Sequence, residues 1–387
     1  MLSIKVLGII AEYNPFHYGH INHIKEAKRI TNSDFVIAII SGPFTQSGNI
    51  SVIDKYKKAE TSIKYGVDLV IELPQIYSIS SANYFSYFAI KLLTSLNIVD
   101  FICFGSECND IKLIKSVANK IQANDEAFWN NLKKENKNIS FAKARENVLK
   151  DVLNESELSI IKNSNDILGI EYVKALNNIN SNIVPYTIKR NEKYMSATNI
   201  RAYLEDNNFE KIKLQVPNET YEYLENVNII SNENIFNLIR YKILTYDTYT
   251  LSNIKDITEG LENKLKKEII ECTSYEDFIN SLKSKRYQMS KIKRILINIL
   301  LDITKSDFSY AINNNVLYAH ILKANDNGKK LISKISKNSN ITLITSANKT
   351  DNLNNDIKKY FNIDIKAQNI YEIASKSKIN KDYTNKI

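Results

Sequence analysis

His17, His20 and His23 recur at intervals of three, so three of the chain's four histidines fall between positions 17 and 23. At the start of a helix that interval places side chains on about one face, and the amide N–H groups of the first turn lack partners within the helix. An anion arriving there would meet imidazole and amide donors together, and phosphate is the guest such a site suits. Ser196, Thr198 and Arg201 stand in the run SATNIR, two hydroxyls at a helix start followed by a forked cation. That pattern fits a second anion cradle, or an ordinary helix cap. Gly105 ends an apolar run, where the absent side chain would let a flat ring or a ribose approach the backbone. The cysteines at 103, 108 and 272 have no histidine close in sequence, no zinc-finger spacing and no disulfide framework. No metal-ligand set is expected, and an acyl-cysteine mechanism is disfavoured.

These residues need elements to hold them. The apolar run at 4–11 has the pattern of a strand buried on both faces, and 35–42, 67–74 and 99–107 repeat it. Helical patterns fall between them, beginning near Gly19 or His20, at 54–66 and at 82–96, and 184–190 reads as a fifth strand. Such alternation requires a parallel α/β sheet with crossover helices, a Rossmann-like arrangement, and puts a ligand beyond the carboxyl ends of the strands. From about 215 the pattern becomes mainly helical, with 341–346 as a possible late strand. We therefore expect a catalytic domain over 1–214 and a largely helical domain over 215–387. The N-terminal apolar run is too short for a signal peptide or a membrane span, so a cytoplasmic protein with no membrane partner is expected.

The net charge of +9 favours a polyanionic partner or simply a soluble lysine-rich surface. Residues 281–294 hold six basic side chains and no acidic one: Lys283, Lys285, Arg286, Lys291, Lys293 and Arg294, with Tyr287 among them. Lysine and arginine can hold backbone phosphates while tyrosine stacks on a splayed base, so this segment is the candidate RNA-binding surface.

GIIAEYNPFHYGH at 8–20 carries an HxGH signature, and it is followed in order by SGPFTQSG (41–48), DK (54–55), GVDLVIELP (66–74), FGSE (104–107), LGIEY (168–172), IKR (188–190), SATNIR (196–201) and KRYQMSKIKRILINILL (285–301). Together these resemble the bacterial tRNA(Met) cytidine acetate ligases, within the HxGH nucleotidyltransferase-like superfamily. The resemblance implies a nucleotidyltransferase sheet and a reaction in two steps. ATP and acetate give acetyl-adenylate and pyrophosphate, and the acetyl group then passes to N4 of the wobble cytidine of elongator tRNA(Met). It implies ATP contacts from Ile10, Ala11, Glu12, Tyr13, Asn14, Pro15, Phe16, His17, Tyr18, Gly19, His20, Ile21, Asn22 and His23, and by correspondence from Gly105, Asn165 and Arg190. Ser196 and Thr198 are expected to join them, with His17, His20 and Arg201 as the catalytic donors to phosphate charge and Mg2+ accompanying ATP. Asp54, Lys55 and Glu107, with Glu12, are polar residues near strand ends that could bind magnesium or orient acetate.

The chain departs from the family pattern at three places. Ser47 follows Gln46 where the family commonly has arginine, and Ser164, Asn165, Asp166 stand where it has a proline and two asparagines. Only NEKYM at 191–195 separates IKR from SAT, in place of a longer segment with a Tyr-His-Asp signature. Two other readings stay open: a nucleotidyltransferase acting on a small phosphorylated substrate, and a tRNA-binding protein with weakened catalysis.

Overall fold

The computed structural model describes residues 4–124, 141–191, 193–226, 230–284, 287–350 and 352–385. Four apolar runs form β1 (Val6–Ala11), β2 (Phe35–Ser41), β3 (Leu69–Leu73) and β4 (Phe101–Ser106), and the half-exposed segment Val184–Lys189 forms β5. These strands lie parallel in the order β5-β4-β1-β2-β3. The sheet then continues through β6 (Tyr318–Ala324), antiparallel to β3, and β7 (Thr342–Ile344), parallel to β6. The expected parallel sheet is therefore mixed. The nucleotidyltransferase-like core and the largely helical C-terminal region are both present, although two strands of the sheet come from that region.

Side chains alternate between the faces with the period of two that a pleated strand imposes. Val36, Ala38 and Ile40 of β2 pack with Leu7, Ile9, Val70 and Leu322 against Ile21, Ile24 and Ala27 of α1 (Tyr18–Thr31) and Ala59 of α2 (Lys55–Lys64). Ile37 and Ile39 point the other way, toward α3 (Gln75–Ser78), α4 (Ala82–Ser95) and α5 (Ile111–Ala123). That second core is continuous with Ile239, Leu265, Phe278 and Ile295 of the C-terminal helices, so the helical region and the sheet share one apolar interior.

A buried charge cluster joins the sheet to the end of the chain. Lys55 Nζ lies 2.8 Å from Glu72 Oε2 and 2.8 Å from Asp382 Oδ1, with all three side chains essentially excluded from water. His320 Nδ1 is 2.7 Å from the same Glu72 oxygen, and Tyr56 donates its hydroxyl to Asp382. Lys55 and the His320 imidazole hold the Glu72 carboxyl below its ordinary range despite its burial. Removing one partner of such a cluster leaves buried charge without compensation. Lys55→Met should therefore lower the unfolding free energy by about 3–5 kcal/mol in urea denaturation. A loss under about 1 kcal/mol, the scale of an exposed pair, would show the cluster to be dispensable.

Candidate active site

The strand order reverses at β1: the chain runs from β1 to β2 and β3 on one side, and β4 then returns to the other. Loops at the carboxyl ends of β1 and β4 diverge there and leave a crevice, the usual position of a ligand on an open α/β sheet. The β1 loop enters α1 through His17, and Gly105 stands at the carboxyl end of β4, just before its loop.

His17 is the N-cap of α1, and His20 stands three residues on. His17 Nδ1 accepts from Gly19 N at 3.0 Å, while His20 Nδ1 accepts from His17 N at 3.2 Å. This is a capping box made by two imidazoles in place of the usual hydroxyl and carboxylate. The ring centroids lie 3.8 Å apart with their planes tilted by 32°. Because each Nδ1 accepts from an amide, the proton of a neutral ring belongs on Nε2. No hydrogen bond among the described residues takes up either Nε2. Gly19 is required by this cap, since a Cβ there would lie 2.7 Å from the His17 ring.

The expectation that free first-turn amides would greet an anion is corrected by the same geometry. Tyr18 N donates to Gln215 O at 3.0 Å, Gly19 N to the His17 ring, and His20 N and Ile21 N to His17 O. The donors left over are the two Nε2–H groups. Burial, followed by the charges of Arg190 and Arg201, lowers the His17 pKa to about 4. His20 lies well below its usual value through burial and then the neighbouring His17, His23 and Arg190. Both rings are thus neutral donors at neutral pH. His23, one turn deeper, has its Nε2 buried without a partner and its pKa lowered by burial to about 4.

Around this pair the β1 loop is held by side chains from distant segments. Asn14 is buried, its Oδ1 accepting from Val52 N at 2.9 Å and its backbone O from Arg201 Nη1 at 2.6 Å. The Asn14–Pro15 peptide is cis. Tyr13 and Phe16 pack their rings against His20 at centroid distances of 4.8 and 5.6 Å. Glu12 Oε1 accepts from Gln46 N at 2.8 Å, and burial raises its pKa against the pull of Lys58 and Arg201. Lys58, buried below the β2 loop, donates to Ser41 O and Gly42 O, and burial lowers its pKa to about 8.

Across the crevice, a Cβ on Gly105 would meet nothing within 4 Å, so the end of β4 offers an open face. Asn165 Nδ2 donates to Glu107 Oε1 at 2.7 Å, and Arg190 Nη1 stands 3.9 Å from that oxygen. Asn165, in the departing Ser-Asn-Asp run, and Arg190, from the IKR run, therefore share one carboxylate. Ser196 Oγ caps its helix by accepting from Asn199 N at 3.2 Å, which leaves its O–H free to donate. Thr198 Oγ1 accepts from Arg201 Nη2 at 3.1 Å. Tyr194, in the short segment before the SATNIR run, lies against α1, its Cβ 3.3 Å from where a Cβ of Gly19 would stand.

Other expectations are redistributed. Lys55 belongs to the buried cluster, and Asp54 caps α2 through Tyr56 N while holding Gln368 and Lys381, so neither is available to magnesium or acetate. Cys103 is buried, which pushes its thiol up to about 12 and makes it inert. Tyr287 is also buried, donating its hydroxyl to Thr258 O at 2.6 Å, so its ring supports the helical core rather than a splayed base. Lys285 and Arg286 lie outside the described residues, and Lys283 is exposed. Lys293 Nζ donates to Asn49 Oδ1 at 2.8 Å and Arg294 Nη1 to Gln46 O at 3.3 Å, turning that end of the segment toward the β2 loop. Ser47, in the arginine position, bonds Thr45 and Asn49 and shapes the turn. A separate cavity of about 410 Å³, lined by residues including Tyr84, Tyr87, Gln122 and Lys174, shares none of the site's residues.

The chain matches the HIGH Nucleotidyl Transferase family over residues 4–386. It is 37% identical to the tRNA(Met) cytidine acetate ligase of Clostridium novyi over 392 residues, spanning 97% of this chain and 96% of that protein. The chain belongs to the tRNA(Met) cytidine acetate ligase family. A Thermoanaerobacter member is 38% identical over 391 residues, covering 96% of each chain. The crystal structure of Thermotoga maritima TmcAL bound with alpha-thio ATP superposes with a TM-score of 0.90 at 30% identity, over 97% of this chain and 95% of that one. The apo form of the same protein gives 0.89. Family membership thus accounts for the ordered motifs, and the imidazole cap shows how this member builds the HxGH signature into α1.

The lowered histidine pKa has a measurable consequence. Between 6.5 and about 4 the unfolded chain binds a proton at His17 that the folded chain refuses, so stability should decline as the pH falls through that window and level off below it. NMR titration should place the His17 midpoint near 4, and His17→Gln should remove part of the slope. A midpoint near the ordinary 6.5 would contradict the buried, neutral cap.

Proposed function

We propose that this protein activates acetate with ATP and transfers the acetyl group to N4 of the wobble cytidine of elongator tRNA(Met). In the first step a carboxylate oxygen of acetate attacks the α-phosphorus, and the bond to the bridging oxygen of pyrophosphate breaks. Negative charge then grows on the phosphoryl oxygens and on the leaving group, and fixed donors aimed at it lower the barrier. His17 and His20 act as those donors through Nε2–H, with Arg201 and Arg190 adding positive charge beside them. Ser196 and Thr198 complete the phosphate contacts, and the open face at Gly105 receives the nucleoside, with Asn165 alongside it.

In the second step N4 attacks the acetyl carbonyl, AMP departs and the amine loses a proton. The mixed anhydride already contains a good leaving group, so orientation of the base and exclusion of water supply much of what this step needs. Residues 1–214 carry the nucleotide chemistry in this reading, and 215–387 contribute the RNA contacts. Mg2+ enters on the triphosphate. Among the described residues no three His, Cys, Asp or Glu side chains gather closely enough to hold a cation, so no step is assigned to it. No helix of the described residues is long and apolar enough to cross a membrane, and the reading places the protein in the cytoplasm with its tRNA.

The observation that carries the proposal is the pair of neutral imidazoles at the β1–β4 crevice, each with Nδ1 occupied by the backbone and Nε2 left to donate. His20→Ala should reduce acetate-dependent ATP–pyrophosphate exchange at least about ten-fold, the scale of losing one fixed donor to a developing oxyanion. Exchange that proceeds without acetate would indicate nucleotidyl transfer to another acceptor instead. Incubation with labelled acetate, ATP and elongator tRNA(Met), followed by nucleoside analysis, tests the second step, and label absent from cytidine would remove the acceptor from the proposal.

A further inference from the structure

The seam between the β2 loop and the C-terminal helices holds more positive charge than its carboxylates balance. The helix Met289–Leu301 passes so close to the loop that a Cβ on Gly48, whose φ is +79°, would lie 2.5 Å from Arg294 N. Arg294 then reaches Gln46 O through Nη1, and its Nε is buried without a partner among the described residues. Lys291, three residues earlier on the same helix face, extends its ammonium over the Tyr287 ring at 4.6 Å. Lys255 comes from a separate loop and is 3% exposed, with Nζ 3.2 Å from Ser80 Oγ and 3.4 Å from Asp256 Oδ2. Gln46 Nε2 donates to Ser80 O at 3.0 Å, so Gln46, which Arg294 bonds, also bonds Ser80, which Lys255 meets.

We propose that Lys255, Lys291 and Arg294 form a subsite for an RNA backbone phosphate beside the Gln46–Ser47 turn. Asp256 is the one carboxylate that acts on all three cations among the described residues, and Glu259 acts in addition on Lys291. Arg294 also opposes both lysines: burial first, and the charge of Arg294 as well, lowers the pKa of each. An incoming phosphodiester relieves that repulsion and gives the stranded guanidinium N–H an acceptor, for which arginine's fork is shaped. Position supports the assignment. Gln46 donates its own N–H to Glu12, so the subsite lies one loop residue from the β1 crevice. A phosphate held there sits beside the acceptor base rather than on a remote part of the stem. Ser47 brings no charge to the turn, and Arg294 brings a guanidinium to it from the helical side. The subsite rests on the reading that RNA is the acceptor.

The test uses the full chain and anticodon stem-loop RNAs in which single loop phosphates are replaced by neutral methylphosphonates. The parent should bind the natural loop about ten-fold more tightly than the loop neutralised at one linkage next to the wobble cytidine, because a buried charge-assisted contact is lost. Arg294→Gln should reduce that ratio to below about two-fold, and Lys291→Gln, at a half-exposed position, should reduce it in part. Since the ratio compares two ligands on one variant, a general loss of folded protein does not imitate it. Equal ratios in parent and variants at every linkage would overturn the subsite. So would weaker pyrophosphate binding in the variants with the RNA ratio intact, which would assign the cluster to the leaving group. A parent that discriminates as expected but forms no acetylcytidine would sink the proposed reaction and leave the subsite standing. A parent that binds no RNA would remove both.

Discussion

Everything at the crevice depends on two imidazoles occupying the backbone donors of one helical turn. The amides of His17 and Gly19 would otherwise be orphans at the start of α1, and each is satisfied by a ring nitrogen. That single constraint has three effects. It fixes both tautomers, leaves the opposite nitrogens as donors, and closes the turn to any anion seeking amides. Burial then keeps the rings uncharged, so they can donate to a phosphate without adding to the repulsion of Arg190 and Arg201. The rest of the fold serves this turn: β1 aims it, Arg201 and Val52 hold the preceding loop through Asn14, and Gln215 takes the Tyr18 amide.

Much of this was legible in the amino-acid sequence. Four of the five parallel strands, β1 to β4, appear as apolar runs because both their faces are covered, which erases the alternation of a half-exposed strand and leaves isoleucine and valine in succession, whereas β5 at the sheet edge keeps a mixed, half-exposed sequence. The HxGH turn was legible because its spacing is local. What escaped was non-local or concealed. β6 has the same buried character as β1 but follows a long helical stretch, so the alternation that reveals the earlier strands gives no cue to it. Its antiparallel pairing with β3 cannot be read from either run alone.

Charge was harder to place than apolarity. Lys55 and Asp54 look like site residues near a strand end, yet their partners, Glu72, Asp382, Gln368 and Lys381, come from elements that only the fold assembles. Tyr287 sits in a basic run and reads as a stacking residue, while the helical core claims its ring. Lys255 carries no motif at all. Its proximity to Arg294 follows from the packing of helices around a shared interior, and nothing in its neighbours along the chain announces it.

The charge cluster around Lys55 also constrains the order in which the chain can reach its final state during synthesis. Lys55 and Glu72 leave the ribosome early and can meet as soon as β2 and β3 pair. His320 and Asp382, which supply the remaining contacts of Glu72 and Lys55, are made more than two hundred residues later. Until then β3 is an unpaired sheet edge beside an ion pair whose later partners are still to come, the kind of surface that invites wrong strand pairing. The nascent protein thus has its greatest need of chaperone cover over an interval set by the distance between β3 and β6 along the chain, even though the catalytic turn itself is among the first parts to emerge.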